Sequence, residues 1–175
     1  DDSRWEKGLG GFASDLWRRR NRDLGTALGD MQDRDKGYAS LYTRHRFSVP
    51  DPGAFRKLRL LVYADDGFIA CLNGKEVGRH NAGDPGSGAP FLVKHGGLDD
   101  GWIPVEITAD AKVLLAGENC LAVQGLHEKQ TGFYLEAILE AERAPDPARA
   151  RKLLEKFRAA AADEGARARV SYMEE

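Results

Sequence analysis

A chain of 175 residues has room for one domain of ordinary size and a short appendage, and it can bury a core without disulfide or metal staples. With 42% hydrophobic and 31% charged residues it has neither a disordered nor a membrane-spanning composition, and no apolar run approaches the roughly 18 residues a bilayer span needs. The 26 Lys and Arg against 28 Asp and Glu leave a formal net charge of -2, so the chain as a whole is not built to hold nucleic acid or an acidic lipid surface.

The chain opens on Asp1-Asp2-Ser3, without an initiator Met or the basic-then-apolar pattern of a signal peptide, and reads as a processed chain or an excised piece of a longer one. Glycines at 8, 10, 11, 25, 29 and 37 break any long period in the first 40 residues, an irregular lead-in expected to pack Trp5, Phe12 and Trp17 on a sheet. The basic run Trp17 to Arg22 suits an acidic partner, a phosphate or plain solvent, and the surrounding Asp15, Asp23 and Asp30 favour solvent.

From Leu41 the pattern turns to short strands. Leu41, Thr43, His45 and Phe47 form a period-2 face that stops at Pro50-Asp51-Pro52-Gly53, where neither proline can donate to a ladder. A second run, Leu58 to Tyr63, ends at Asp65-Asp66-Gly67. A third, Phe68 to Leu72, meets Asn73-Gly74, whose tolerance of two positive φ angles predicts a type I′ hairpin into Lys75 to Gly78. Residues 81–101, rich in Gly, Pro and Asp, predict a long loop of the kind that carries binding groups on a rigid scaffold.

Strands resume at Trp102 to Ile107, a short helical turn follows over Ala109 to Leu115, and Cys120 to Gln124 and Phe133 to Leu139 are the last two strands. Seven or eight short strands with regular turns, and no helix long enough for a parallel crossover, predict an all-β antiparallel sandwich or jelly roll over residues 1–143. Residues 144–175 read as an amphipathic helical tail. Asp146 is a cap, Pro147 the first helical position, Leu153, Leu154 and Phe157 one apolar face, and Gly165 the stop. That face either packs on its own sandwich or docks on another chain or domain.

Catalytic signatures are missing: there is no GxSxG, P-loop, GxGxxG after a strand or HExxH, and His45, His80, His95 and His127 have no metal-ligand spacing. No catalytic residue is therefore assigned, and an enzyme in its own right is not expected. Asp30, Asp33 and Asp35, then Asp65 and Asp66, gather in predicted loops, where Asp serves either as an oxygen ligand for a structural Ca²⁺ or as an ordinary turn former. Arg44 stands where an EF-hand would need its bidentate Glu, which removes that motif. For sugar recognition the candidates near loops are Arg79, His80, Asn81, Trp102 and His127, planar polar or aromatic groups that suit hydroxyls and pyranose faces, with core packing as the alternative for any aromatic. Cys71 and Cys120 are too few for a disulfide framework and too far apart for a CxxC motif, leaving one bridge or two buried free thiols.

Three segments taken together are familiar: Leu41 to Val49 ("Y-x-R-x-x-F-x-V"), Tyr63 to Val77 ("D-D-G-F-x-x-x-x-N-G-x-E-V") and Ala116 to Gly125 ("G-E-N-x-L-A-V"). Their order over Trp5 to Arg143 resembles the galactose-binding-like jelly-roll modules of large secreted bacterial proteins. It is similar to the non-catalytic sugar-binding domains of β-galactosidases and α-rhamnosidases. The resemblance implies an eight- or nine-stranded antiparallel sandwich, often with a structural calcium, in a secreted or cell-surface protein. The expected role is a carbohydrate-binding or adhesion accessory module; the alternative is a structural protein that self-associates through its sandwich and tail. Cys71 stands where that pattern has an aromatic or aliphatic residue and Cys120 where it has an aliphatic one, a departure that implies contact between the two. The Trp17 to Arg22 run and the tail lie outside the pattern.

Overall fold

In the computed structural model, which describes residues 3–15, 25–31, 33, 37–85, 103–106, 112–127 and 132–163, the alternating runs become two facing sheets. The strands are β1 (Phe12–Ser14), β2 (Thr26–Leu28), β3 (Ser40–Val49), β4 (Phe55–Ala64), β5 (Gly67–Leu72), β6 (Lys75–His80), β7 (Ile103–Glu106), β8 (Gly117–Leu126) and β9 (Tyr134–Arg143). One sheet runs β2-β1-β9-β4-β7 and the other β3-β8-β5-β6. Apart from the three-residue parallel pair β1/β2, the registered pairs β1/β9, β3/β8, β4/β7, β5/β6 and β5/β8 are antiparallel. The all-β sandwich is therefore what forms, and the lead-in, expected to be irregular, adds two short strands to it.

Alternation sets the core. Leu58, Leu60, Val62 and Ala64 of β4 and Leu135 of β9 face Phe68, Ala70 and Leu72 of β5 and Leu121 and Val123 of β8, all in one buried cluster. Each fully buried large aliphatic there contributes about 2 kcal/mol. Gly125 has no room for a side chain, because a Cβ would meet the Phe133 ring at 2.8 Å and Leu135 at 2.9 Å.

Turn chemistry fixes the register. Asn73 and Gly74 sit at φ 53° and 81°, the type I′ geometry expected of Asn-Gly, with Leu72 opposite Lys75. The Asp51 carboxylate accepts the Gly53 amide at 3.0 Å and caps the 3-10 turn Pro52–Ala54, where β3 gives way to β4.

Residues 1–142 and 143–175 are separate compact units. The second carries the helix α1 (Pro147–Asp163), whose start follows the expected capping, with Asp146 Oδ1 accepting the Ala148 amide at 3.0 Å. On it Leu153 is 55% exposed. No helix among the described residues is long and apolar enough to cross a membrane.

Candidate functional site

The β4–β5 turn, the end of β6 and the end of β8 converge, and with them come five of the residues singled out from sequence: Asp65, Asp66, His80, Asn81 and His127. His127 Nδ1 lies 3.3 Å from Asp66 Oδ2, both side chains sealed from solvent at 0% and 3% exposure. The Asn81 amide donates to the Asp66 carbonyl at 2.9 Å, and the Asp65 amide donates to the Tyr134 carbonyl at 3.0 Å. Asp66 and Asn81 adopt left-handed φ of 85° and 47°, which Asp and Asn tolerate better than most residues. Gly67 lets the β6 backbone close in, since a Cβ there would stand 2.8 Å from the His80 carbonyl oxygen. The Phe133 ring meets the His127 imidazole edge to face at 5.6 Å, and Phe68 stacks on His80 at 6.3 Å. Close as the Asp66 contact is, neither imidazole nitrogen of His127 makes a directed hydrogen bond among the described residues.

These groups hold the end of the sandwich together, and so does Arg79. Its Nε and Nη2 make a two-pronged pair with Glu76 at 2.6 Å each, while Nη1 donates to the carbonyls of Ala82, Gly83 and Asp84 at 3.0, 3.1 and 2.7 Å. The Arg79 hydrogen bonds hold the Glu76 carboxyl below its usual range, and Glu76 in turn raises Arg79 further. Trp102 lies outside the described residues.

The acidic candidates are likewise engaged. Asp30 Oδ1 accepts the Tyr38 hydroxyl at 3.1 Å, the Asp33 carbonyl accepts the Gly37 amide at 2.9 Å, and Asp35 lies outside the described residues. Calcium needs six to eight oxygens. Among the described residues no three His, Cys, Asp or Glu side chains are grouped to hold a metal ion, and Asp66 points a carboxylate oxygen at an imidazole nitrogen. No role is assigned to calcium among the described residues.

A second feature occupies the outer face of the four-stranded sheet. With Phe68, Ala70 and Leu72 of β5 and Leu121 and Val123 of β8 in the core, the intervening Ile69, Cys71, Cys120, Ala122 and Gln124 face outward and are half-buried. Register then places Tyr42 opposite Gln124, Arg44 opposite Ala122 and Arg46 opposite Cys120 on one side, and Glu76 opposite Cys71 and Arg79 opposite Ile69 on the other. The two central strands thus present mostly small side chains, and the two edge strands long ones, which makes a trough. Its β3 rim carries the aromatics: Tyr42 is 59% exposed, and Trp5, 41% exposed, holds the Arg44 guanidinium 4.5 Å from its ring centroid. Arg46 pairs with Glu118 at 3.0 Å and extends that rim.

Cys71 and Cys120 are both free thiols in the trough floor. Cys71 lies opposite Ala122, so Cys120, two residues along β8, is its diagonal neighbour on the same face. Burial pushes the Cys71 thiol up, the Glu76 carboxylate adds to this, and Arg79 opposes it.

The candidates named from sequence lie at the loop end and do not include Tyr42, Arg44 and Gln124, while Trp5, expected to pack on a sheet, lies against Arg44 of β3. A signal was present: the strict alternation of β3 puts Tyr42, Arg44 and Arg46 on the face opposite Leu41 and Phe47.

No family model matches the chain, and no curated protein matches it. Solved structures similar to it include the α-L-rhamnosidase of Dictyoglumus thermophilum, with 15% identity over 61% of this chain and a TM-score of 0.44. The α-L-rhamnosidase of Aspergillus terreus shows 18% identity over 64% of this chain and a TM-score of 0.41. The β-glucuronidase of Bifidobacterium dentium shows 21% identity over 59% of this chain and a TM-score of 0.35. Against these enzymes the chain covers 11%, 14% and 15% of their respective lengths.

Proposed function

We propose that the chain is a non-catalytic carbohydrate-binding accessory module of a secreted or cell-surface protein, and that it takes a saccharide in the trough on the outer face of its four-stranded sheet. The observation that carries the reading is the trough: a floor of Ala122, Cys120 and Cys71 bounded by the exposed rings of Tyr42 and Trp5. Aromatic faces pack on the apolar face of a pyranose, and planar amide and guanidinium groups such as Gln124 and Arg44 suit its hydroxyls. The motifs shared with sugar-binding jelly-roll modules support the same class. They map onto strands and turns, so the support they give is for the scaffold more than for the ligand.

Calorimetric titration with a panel of neutral and acidic oligosaccharides tests the proposal. A millimolar or tighter saccharide ligand is expected, with Tyr42→Ala weakening it about tenfold, or about 1.4 kcal/mol, and leaving the unfolding midpoint unchanged. No binding at millimolar concentration, or binding indifferent to Tyr42→Ala, would overturn it. If sedimentation of the same samples showed a concentration-dependent dimer and no saccharide bound, the exposed Leu153 on α1 would make self-association through the tail the better reading.

A further inference from the structure

We propose that Cys71 and Cys120 form a reversible dithiol site in the trough floor, closing to an intramolecular disulfide when a small-molecule disulfide such as oxidised glutathione reaches them. Both thiols stand free on the outer face of adjacent strands and are half-buried, so they are neither sealed in the core nor remote from each other. The backbone beside them is pinned: the Asn73 amide donates to the Cys120 carbonyl at 2.9 Å, and the Cys120 amide donates to Asn73 Oδ1 at 2.9 Å. Diagonal neighbours in an antiparallel pair have Cα atoms about 7 to 8 Å apart, against roughly 4.4 to 6.8 Å in a disulfide. Closing therefore needs a local backbone shift along two anchored strands. A bond made that way is readily reduced, which fits a reversible site better than a permanent staple.

The chemistry balances within the named reactants. One cysteine thiolate attacks a sulfur of glutathione disulfide, breaking its S–S bond; a glutathione thiolate leaves and takes up a proton. The second cysteine, as thiolate, attacks the protein sulfur of the mixed disulfide and displaces the second glutathione. Two protein thiols are oxidised, and one glutathione disulfide is reduced to two glutathione thiols. Burial and Glu76, by raising Cys71, leave it less thiolate at neutral pH, so closure keeps gaining speed as pH climbs above the ordinary thiol range. The new bond reshapes the floor between Arg44 and Glu76, so the redox state governs the trough. This last consequence rests on the saccharide reading; the bond itself does not.

Intact mass and thiol alkylation of the full chain after incubation with oxidised glutathione provide the test. The expected product has lost two hydrogens, keeps no glutathione, resists alkylation and returns to the dithiol with dithiothreitol, whereas Cys71→Ser and Cys120→Ser each keep one glutathione. A wild-type product that retains two glutathiones, or thiols that stay alkylatable, would overturn the site. Titrating the reduced and oxidised forms with the saccharide is expected to separate them by about fivefold or more. Equal affinities would refute the coupling alone, and no binding by either form would count against the saccharide reading while leaving the dithiol site standing.

Discussion

The two ends of β5 and β8 treat buried polar groups in opposite ways. At one end Asn119, 1% exposed, has each amide atom accounted for: Oδ1 accepts from Asn73 Nδ2 at 2.7 Å and from the Leu115 amide at 2.8 Å, and Nδ2 donates to the carbonyls of Leu115 at 2.8 Å and Gly117 at 3.0 Å. Asn73 closes the network, donating to the Val113 carbonyl at 2.7 Å while its own carbonyl oxygen accepts the Cys120 amide. At the other end His127 is just as buried, yet neither ring nitrogen makes a directed hydrogen bond, and what it has is the nearby Asp66 carboxylate and the edge of Phe133. The same two strands thus end once in a network that fixes turn and register together, and once in a packed contact. Burial alone does not tell the two apart, but the hydrogen-bond partners do.

The largest effect that tests this contrast is at Asn119. Asn119→Leu keeps the volume but leaves the Leu115 amide and the Leu115 and Gly117 carbonyls without their partner inside the protein, a loss of about 3 kcal/mol or more in urea unfolding. His127→Leu, of similar size and equal burial, removes no directed hydrogen bond and is expected to cost about 1 kcal/mol. Equal losses at the two positions would break the comparison and show that His127 is hydrogen-bonded in solution.

The same contrast explains what was legible in the sequence. Asn73-Gly74 announced its hairpin because the two positive φ angles are a local requirement. Asn119 was visible only as a letter in the "G-E-N" segment: Leu115 and Gly117 are local partners, but Asn73, which completes the network, lies 46 residues away on the turn after β5. Strands β1 and β2 escaped because three residues are too few to show a period, and both are placed by pairing, β1 against β9 and β2 against β1. Alternation divided β3 into two faces, one carrying Leu41 and Phe47 and the other Tyr42, Arg44 and Arg46. It could not say that β3 lies beside β8, where Tyr42 pairs with Gln124 across a long stretch of sequence, and without that neighbour there is no trough. Asp65, Asp66, His80, Asn81 and His127 meet because turns at strand ends share one end of a sandwich, and there the His127 and Asn81 side chains turn to Asp66.

The last effect lies at the His127 end and depends on pH. Two tyrosines tie into it: Tyr38, one residue before the Ala39 carbonyl that accepts the His127 amide, and Tyr134, whose carbonyl accepts the Asp65 amide. Burial first, then the hydrogen bond to Asp30 and its charge, push the Tyr38 hydroxyl up to about 12. Burial and the 2.6 Å hydrogen bond to Glu136 push Tyr134 up as well. A tyrosine of the unfolded chain ionises near about pH 10. With the folded values higher, the folded protein keeps protons that the unfolded chain has released, so the tyrosines' contribution is whole below about pH 10 and is lost as pH rises from there toward about 12. Urea midpoints should therefore fall over that window, and Tyr38→Phe and Tyr134→Phe should each flatten the fall. An alkaline profile the same in wild type and both variants would mean that neither phenol is held by its carboxylate. The Asn119 network contains no group that titrates there, so an alkaline loss that began by freeing the Asn73 to Gly74 hairpin, seen by hydrogen exchange, would place the weaker end of the sandwich on the other side.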